Sequence, residues 1–193
     1  MLKLYHSPQS RSSRFIWMLE ELGQPYEIEY VTIRRGDGAG APDAKNPHPQ
    51  GKVPALEHDG RLVVESGAIS LYLTDAFPGA NLAPKVGDPD RGAYLGWLFF
   101  YFSEVEPNMI LKFLEVSSPM ASQIFDTMFK HFEGRLKASP YVMGDHFTAA
   151  DVLFGSAAQW GTTMLPKSDV LSAYLARLQE RPAYQRAQEK EQP

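Results

Sequence analysis

Four serines and two arginines crowd the stretch Ser7-Pro8-Gln9-Ser10-Arg11-Ser12-Ser13-Arg14. Serines at a helix start ordinarily cap it. A hydroxyl there can instead donate a hydrogen bond to a bound anion. A thiol is the informative ligand. Its free pKa is roughly 8.5, and a hydrogen-bond donor beside a helix N-terminus lowers it toward the thiolate. Any of the four serine hydroxyls could serve in that way. Val53-Pro54 is a second feature, because proline cannot donate to a sheet ladder and belongs at an edge or a bulge. A trans bond makes it an ordinary strand start. A cis bond would turn the Val53 amide and carbonyl outward, toward an extended peptide ligand. Glu65-Ser66 is the third. It is either a plain helix cap or, with free N–H groups behind it, an anion site. A ligand carboxylate would fit that site, with Glu65 taking the ligand's ammonium.

Other chemistries lack their residues. The 193 residues contain no cysteine, which excludes disulfides, thiolate metal sites and a cysteine nucleophile of the chain's own. No Gly-x-Ser-x-Gly elbow occurs. His6, His48, His58, His131 and His146 are scattered without zinc-ligand spacing, so no metal site is expected. The net charge of −4 argues against nucleic acid, since phosphate binding needs a basic face. No apolar run reaches the ~20 residues of a membrane helix, and the first residues lack a signal peptide's apolar core. A cytoplasmic protein is expected.

The elements that must position these residues change character two-fifths of the way along. Leu2, Leu4 and His6 alternate as a strand. Ser10 to Leu22 has helical spacing, closed by Gly23. Tyr26 to Val31 alternates again, and Arg34 to Gln50 is loop-like. Val53–Glu57 and Arg61–Glu65 flank the turn signal His58-Asp59-Gly60. Ser66 then opens a helix to Phe77. This β-α-β, β-β-α order predicts a small α/β sandwich over residues 1–77. Residues 78–87 read as a linker and 88–193 as an all-helical domain. In it Asp88-Pro89 opens a helix kinked at Pro107, Thr148 to Asp151 has capping-box spacing, and Ala187 to Pro193 is a frayed tail. Trp97, Phe99, Phe100, Tyr101 and Phe102 cover all sides of one helix. That is more than a single buried stripe requires, so some should face a pocket or a partner.

Three motifs in order carry a resemblance. Asn46-Pro47 followed by Lys52-Val53-Pro54-Ala55-Leu56 is the first, Glu65-Ser66-Gly67-Ala68-Ile69 the second, and Gly144-Asp145-His146-Phe147-Thr148-Ala149-Ala150-Asp151 the third. Together they resemble the cytosolic glutathione S-transferase family over nearly the whole chain, in the manner of a bacterial serine-type member. The resemblance implies a thioredoxin-like α/β domain followed by an all-α domain, with glutathione as co-substrate and no metal.

It also implies site roles. Pro54 would be cis and Val53 would pair through its backbone with the cysteinyl part of glutathione. Glu65 and Ser66 would hold the γ-glutamyl end, while Lys52, with Gln50 or His48, would face the glycyl carboxylate. The thiol would meet Ser10, then in order of preference Ser7 or Ser12, with Tyr5 a weaker candidate. Phe99, Phe100, Tyr101, Asn108, Met109 and Phe113 would form an apolar wall for a small electrophile, in a homodimer. Conjugation is the expected activity. A glutathione-dependent isomerase or peroxidase, or a binding protein without turnover, is compatible with the same motifs.

Overall fold

The structure is a computed structural model describing residues 1–193. Four strands, Leu2–His6 (β1), Tyr26–Tyr30 (β2), Ala55–His58 (β3) and Arg61–Val64 (β4), accompany eight α-helices. The helices are Ser13–Leu22 (α1), Ser66–Ala76 (α2), Arg91–Phe100 (α3), Glu106–Phe113 (α4), Pro119–Ala138 (α5), Ala149–Trp160 (α6), Asp169–Gln179 (α7) and Pro182–Glu189 (α8). Two compact units result: Met1–Ala80 with Pro182–Pro193, and Asn81–Arg181.

In the first unit the sheet order is β2-β1-β3-β4. β1 and β2 run parallel, joined by α1, while β3 is antiparallel to both β1 and β4. Leu2, Leu4 and His6 are buried on β1, and Phe15, Ile16 and Leu19 are buried on α1, as the two periodicities require. Asp59 and Gly60, at φ 50° and 76°, make the two-residue loop joining β3 and β4. Positive φ at both positions matches the right-handed twist of a hairpin, and Asp-Gly tolerates it. Gly23 closes α1 at φ 65°.

The last twelve residues correct the expectation of a frayed tail and of a helical domain running to residue 193. Ala183 and Ala187, one helical turn apart, are buried, and the Tyr184 ring meets Trp17 of α1 edge-on at 5.0 Å. Glu20 of α1 ties the segment down. Its carboxylate accepts from Arg186 Nε at 2.6 Å, Lys190 Nζ at 2.5 Å and the Tyr26 hydroxyl at 2.6 Å. Burial alone would raise the Glu20 pKa. The hydrogen bonds from Lys190, Tyr26 and Arg186 outweigh it and hold the group at about 2. Sequence periodicity misses this because α8 buries only two small side chains.

The second unit is helical, as expected, and is organised around α6. Ala149 to Gly155 are buried without interruption. Phe154 packs its ring against Trp97, Phe100, Tyr101 and Phe132. The capping box at its start is present. Asp151, fully buried, accepts from the backbone of Val142 and Thr148, both at 2.8 Å, and from the Tyr174 hydroxyl at 3.0 Å. Burial pushes its carboxyl up to about 6, against the hydrogen bonds that pull it down.

Several boundaries move. α1 begins at Ser13, leaving Ser10 in the turn before it, and β3 begins at Ala55, leaving Val53-Pro54 outside the strand. α3 opens at Arg91 after Asp90, with Asp88 Oδ1 accepting from the Asp90 amide at 2.9 Å instead of capping the helix itself. The break expected at Pro107 is a π-helical turn over Tyr101–Val105, just ahead of it. Pro107 has no N–H and crowds the preceding turn, so widening that turn accommodates it. Within the expected linker, Pro78–Ala80 is a 3-10 turn, and Leu82 is buried with its carbonyl accepting from Ala149 N at 2.8 Å.

Two outcomes test these contacts. Asp151→Ala removes the acceptor of two backbone N–H groups and a tyrosine hydroxyl. It should lower the unfolding free energy by about 3 kcal/mol or more, since each stranded buried donor costs about 1–3 kcal/mol. Urea titration measures it, and a loss under about 1 kcal/mol would contradict this role. For Glu20 the folded pKa lies below its ordinary value of 4.5. Its stabilising contribution is therefore full above that value and lost as pH falls through about 2. The stability gap between the parent and Glu20→Gln should be widest above about pH 5 and close toward pH 2. A gap independent of pH would rule this out.

Candidate functional site

The register of the sheet collects the motifs. Tyr5 pairs with Ala55, and Ala55 pairs with Val64. The end of β1, the start of β3 and the end of β4 therefore share one edge, and neighbouring strands are about 4.8 Å apart. The residues just beyond those ends are the Ser7–Ser12 turn, Val53-Pro54 and Glu65-Ser66. Sites nearly sixty residues apart in sequence thus emerge side by side.

The Val53-Pro54 bond is cis. Val53 packs its side chain with Tyr5, Val31 and Ala55. The preceding turn is self-braced: Asn46 Nδ2 donates to Lys52 O at 2.9 Å, and His48 Nδ1 accepts from Gln50 N at 3.1 Å. His48 is buried, and that burial lowers its pKa, with Glu65 opposing and Lys52 reinforcing the shift. Its imidazole is therefore a turn brace, which leaves Gln50 and Lys52 as the exposed polar groups of the turn.

Glu65, not Ser66, occupies the cap position of α2, and Ser66 is the first helical residue. Glu65 is exposed and sits at φ 71°. A non-glycine residue there is strained, and such strain collects at ligand-binding positions. Ser66 is buried at the helix end. The first α2 amides lack intrahelical partners, and the first turn holds no acidic residue. That makes the end of α2 suited to an anion.

The serine turn is one hydrogen-bonded cluster. Ser12 Oγ lies 2.8 Å from His6 Nδ1, accepts from Ser7 N at 3.2 Å, and lies 2.7 Å from Ser10 Oγ. Ser10 Oγ donates to Ser7 O at 2.6 Å and accepts from Ser12 N at 3.2 Å. Ser12 and Ser7 are buried, whereas Ser10 is half-buried. Ser12 stands where a capping serine would, yet its hydroxyl turns back to His6. Gln9, at φ 54°, precedes Ser10, and its amide donates to Glu191 Oε1 at 2.6 Å. The Tyr5 hydroxyl is engaged by Glu57 Oε2 at 3.1 Å. Sequence reasoning assigned no role to His6 beyond packing or to Glu191. Neither carries a local signal, since their proximity arises only when the 182–193 segment returns to β1.

In the second unit the six apolar-wall candidates diverge. Tyr101 and Met109 are buried in the core. Met109 lines a small apolar cavity of about 20 Å³ with Met128 and Phe132, room for about one water and far too small for an electrophile. Phe100 packs on Phe154 and His131. Asn108 Nδ2 donates to Glu104 O at 2.7 Å. Phe99 and Phe113 are exposed, at 67% and 60%. The crowded aromatics divide in the same way: Trp97 stacks on His131 at 4.8 Å, and Phe99 alone faces outward fully.

Comparison with known proteins gives the family of both units. Residues 4–81 match the model of the glutathione S-transferase N-terminal domain, and residues 120–182 that of the C-terminal domain. A glutathione S-transferase of Schizosaccharomyces pombe is 30% identical over 173 residues, covering 78% of this chain and 70% of its own. The crystal structure of a glutathione transferase from Methylococcus capsulatus superposes with a TM-score of 0.82 at 32% identity, covering 99% of this chain and 98% of its own. A sphingomonad glutathione S-transferase complexed with glutathione gives 0.81 at 28%, with 98% of each chain covered. Both family domains occur in order along the chain, and this chain belongs to the glutathione S-transferases.

Proposed function

We propose that this chain is a glutathione transferase that binds glutathione along the β1–β3–β4 edge and activates its thiol for attack on a small apolar electrophile. The observation that carries this reading is the convergence of the Ser10 turn, Val53-Pro54 and Glu65-Ser66 at one sheet edge. The relative complexed with glutathione supports the choice of ligand. Val53 offers its backbone to the cysteinyl unit. The α2 end at Ser66 takes the γ-glutamyl carboxylate, and the exposed Glu65 carboxylate takes its ammonium. Lys52 and Gln50 face the glycyl carboxylate.

Ser10 is the hydroxyl assigned to the thiol, ahead of Ser7 and Ser12. It is the least buried of the three, and Ser12 is held by His6. Its O–H donates to the sulfur as the thiol proton leaves to solvent water, and the N-terminal end of α1 adds a favourable field. A hydrogen bond to a charged group is worth about 1.5–3 kcal/mol and the helix end about 0.3–1 kcal/mol. Together they lower a pKa near 8.5 by about two units at 1.36 kcal/mol each. The thiolate fraction at neutral pH then rises from a few per cent to about three-quarters. Thiolate attack forms the sulfur–carbon bond while the electrophile's leaving group departs with its electron pair. On the second unit, Phe99 and Phe113, with the part-exposed Phe100 and Asn108, remain available to an apolar ligand. The reading takes the protein as a cytoplasmic homodimer.

One observation favours a glutathione-binding protein without turnover: the Ser10 hydroxyl is already engaged with Ser7 O, so it must rotate to serve a thiolate. Calorimetry with glutathione beside an aryl-halide conjugation assay separates the two. Ser10→Ala should raise the pKa of bound glutathione by one to two units and cut kcat/KM at neutral pH by about 3–25-fold, with KM for glutathione little changed. Unchanged values for both remove Ser10 from the mechanism. Glu65→Ala should weaken glutathione binding by about tenfold or more, a charged hydrogen bond's worth, while kcat at saturation holds. Equal affinity in the variant would exclude Glu65 as the ammonium partner.

A further inference from the structure

We propose that His6 and Glu191 are positioning residues for the Ser10 hydroxyl, acting through Ser12. The inference rests on the reading of Ser10 as the thiol-facing group. His6 Nε2 lies 3.1 Å from the Glu191 carbonyl oxygen. A carbonyl only accepts, so Nε2 carries the proton. Burial lowers the His6 pKa, against the Glu191 carbonyl and carboxylate that raise it, so the ring is neutral and Nδ1 is an acceptor. Ser12 must then donate its one hydroxyl proton to Nδ1, at 2.8 Å. With that proton committed, Ser12 Oγ faces Ser10 Oγ, 2.7 Å away, as an acceptor only. Ser10 is left as the net donor of the cluster. Its proton can rest on Ser12 or Ser7 O and can swing to an incoming thiolate without displacing another hydroxyl proton.

The Glu191 side chain fixes the same turn from outside. Oε1 accepts from Gln9 N at 2.6 Å and from Ser13 Oγ at 2.8 Å, bracketing Ser10. The charged and titratable groups around His6 and this turn are few. The Glu191 carboxylate lies 3.8 Å from His6 Nε2, and the Tyr30 ring meets the imidazole edge-on at 5.6 Å. The Arg35 guanidinium donates to Pro8 O at 2.8 Å, and Arg11 and Arg14 belong to the turn itself. Tyr30 OH is in turn 2.9 Å from Lys190 O, so the 182–193 segment is held to β2 beside the imidazole.

The test uses the full chain with saturating glutathione and an aryl-halide electrophile, reading the pKa of the bound thiol from the pH profile of kcat/KM for the electrophile. Ser12→Ala and Glu191→Ala should each raise that pKa by about one unit and lower kcat/KM at neutral pH by about threefold. KM for glutathione should change less than about twofold, because neither residue is assigned a contact with it. Ser12→Thr, which keeps the hydroxyl, should restore the parent pKa. If Ser10→Ala shifts the thiol pKa while Ser12→Ala and Glu191→Ala do not, the positioning role is overturned and the assignment of Ser10 stands. If Ser10→Ala itself leaves the thiol pKa in place, both fall. Glu191 is only half-buried, in the last residues of the chain, so its variant reports even if Ser12→Ala fails to fold.

Discussion

Ala55 is paired on both sides, with Tyr5 of β1 and Val64 of β4, and the site depends on that double register. An antiparallel strand between two others puts its beginning beside their ends. Three loops from distant parts of the chain must therefore open at one edge. A slip of one residue in either ladder would turn every side chain of β3 to the opposite face. It would also carry Val53 out of its small cluster with Tyr5, Val31 and Ala55. The buried Leu4 and Leu56, directly paired, hold the register by keeping both apolar sets on the core side.

What stands at that edge follows two different logics. The α2 end combines a strained, exposed Glu65, a buried Ser66 and first amides without intrahelical partners. It is suited to holding fixed charges. The serine turn is the reverse, a cluster in which hydroxyl protons already have partners. Of Ser7, Ser10 and Ser12, Ser10 is the least buried. In the proposed reading, binding falls to the N-terminus of α2 and activation to that of α1.

The second unit shows how a large aromatic content is distributed. Phe154 collects four neighbouring rings, so most of the aromatic surplus on α3 is absorbed by packing against α6. Asp151 makes this possible. Its carboxylate satisfies the amides where α6 begins, and a helix buried at its start needs such an acceptor. The aromatic crowding signalled an excess beyond one stripe, and Phe99 and Phe113 are the outward remainder.

The strands, the helices and the two-part organisation were legible in the sequence because their periods and turn residues are local. Leu2/Leu4/His6 alternate, Asp59-Gly60 permits positive φ, and Thr148 with Asp151 spaces a capping box. The motifs Lys52-Val53-Pro54 and Glu65-Ser66 were likewise recognisable as types. Helix starts were less so, since Ser10, Ser12 and Ser13 are all acceptable caps and only His6 decides where the Ser12 hydroxyl goes. The place of residues 182–193 could not be read at all. Ala183 and Ala187 make a weak stripe, and the attachment rests on Glu20 and His6, which lie more than 160 residues away. The sequence by itself determined which residues could hold an anion and lower a thiol's pKa. Only the fold brings the Glu191 carbonyl to His6 Nε2 and the Ser12 hydroxyl to His6 Nδ1, because those groups stand at opposite ends of the chain.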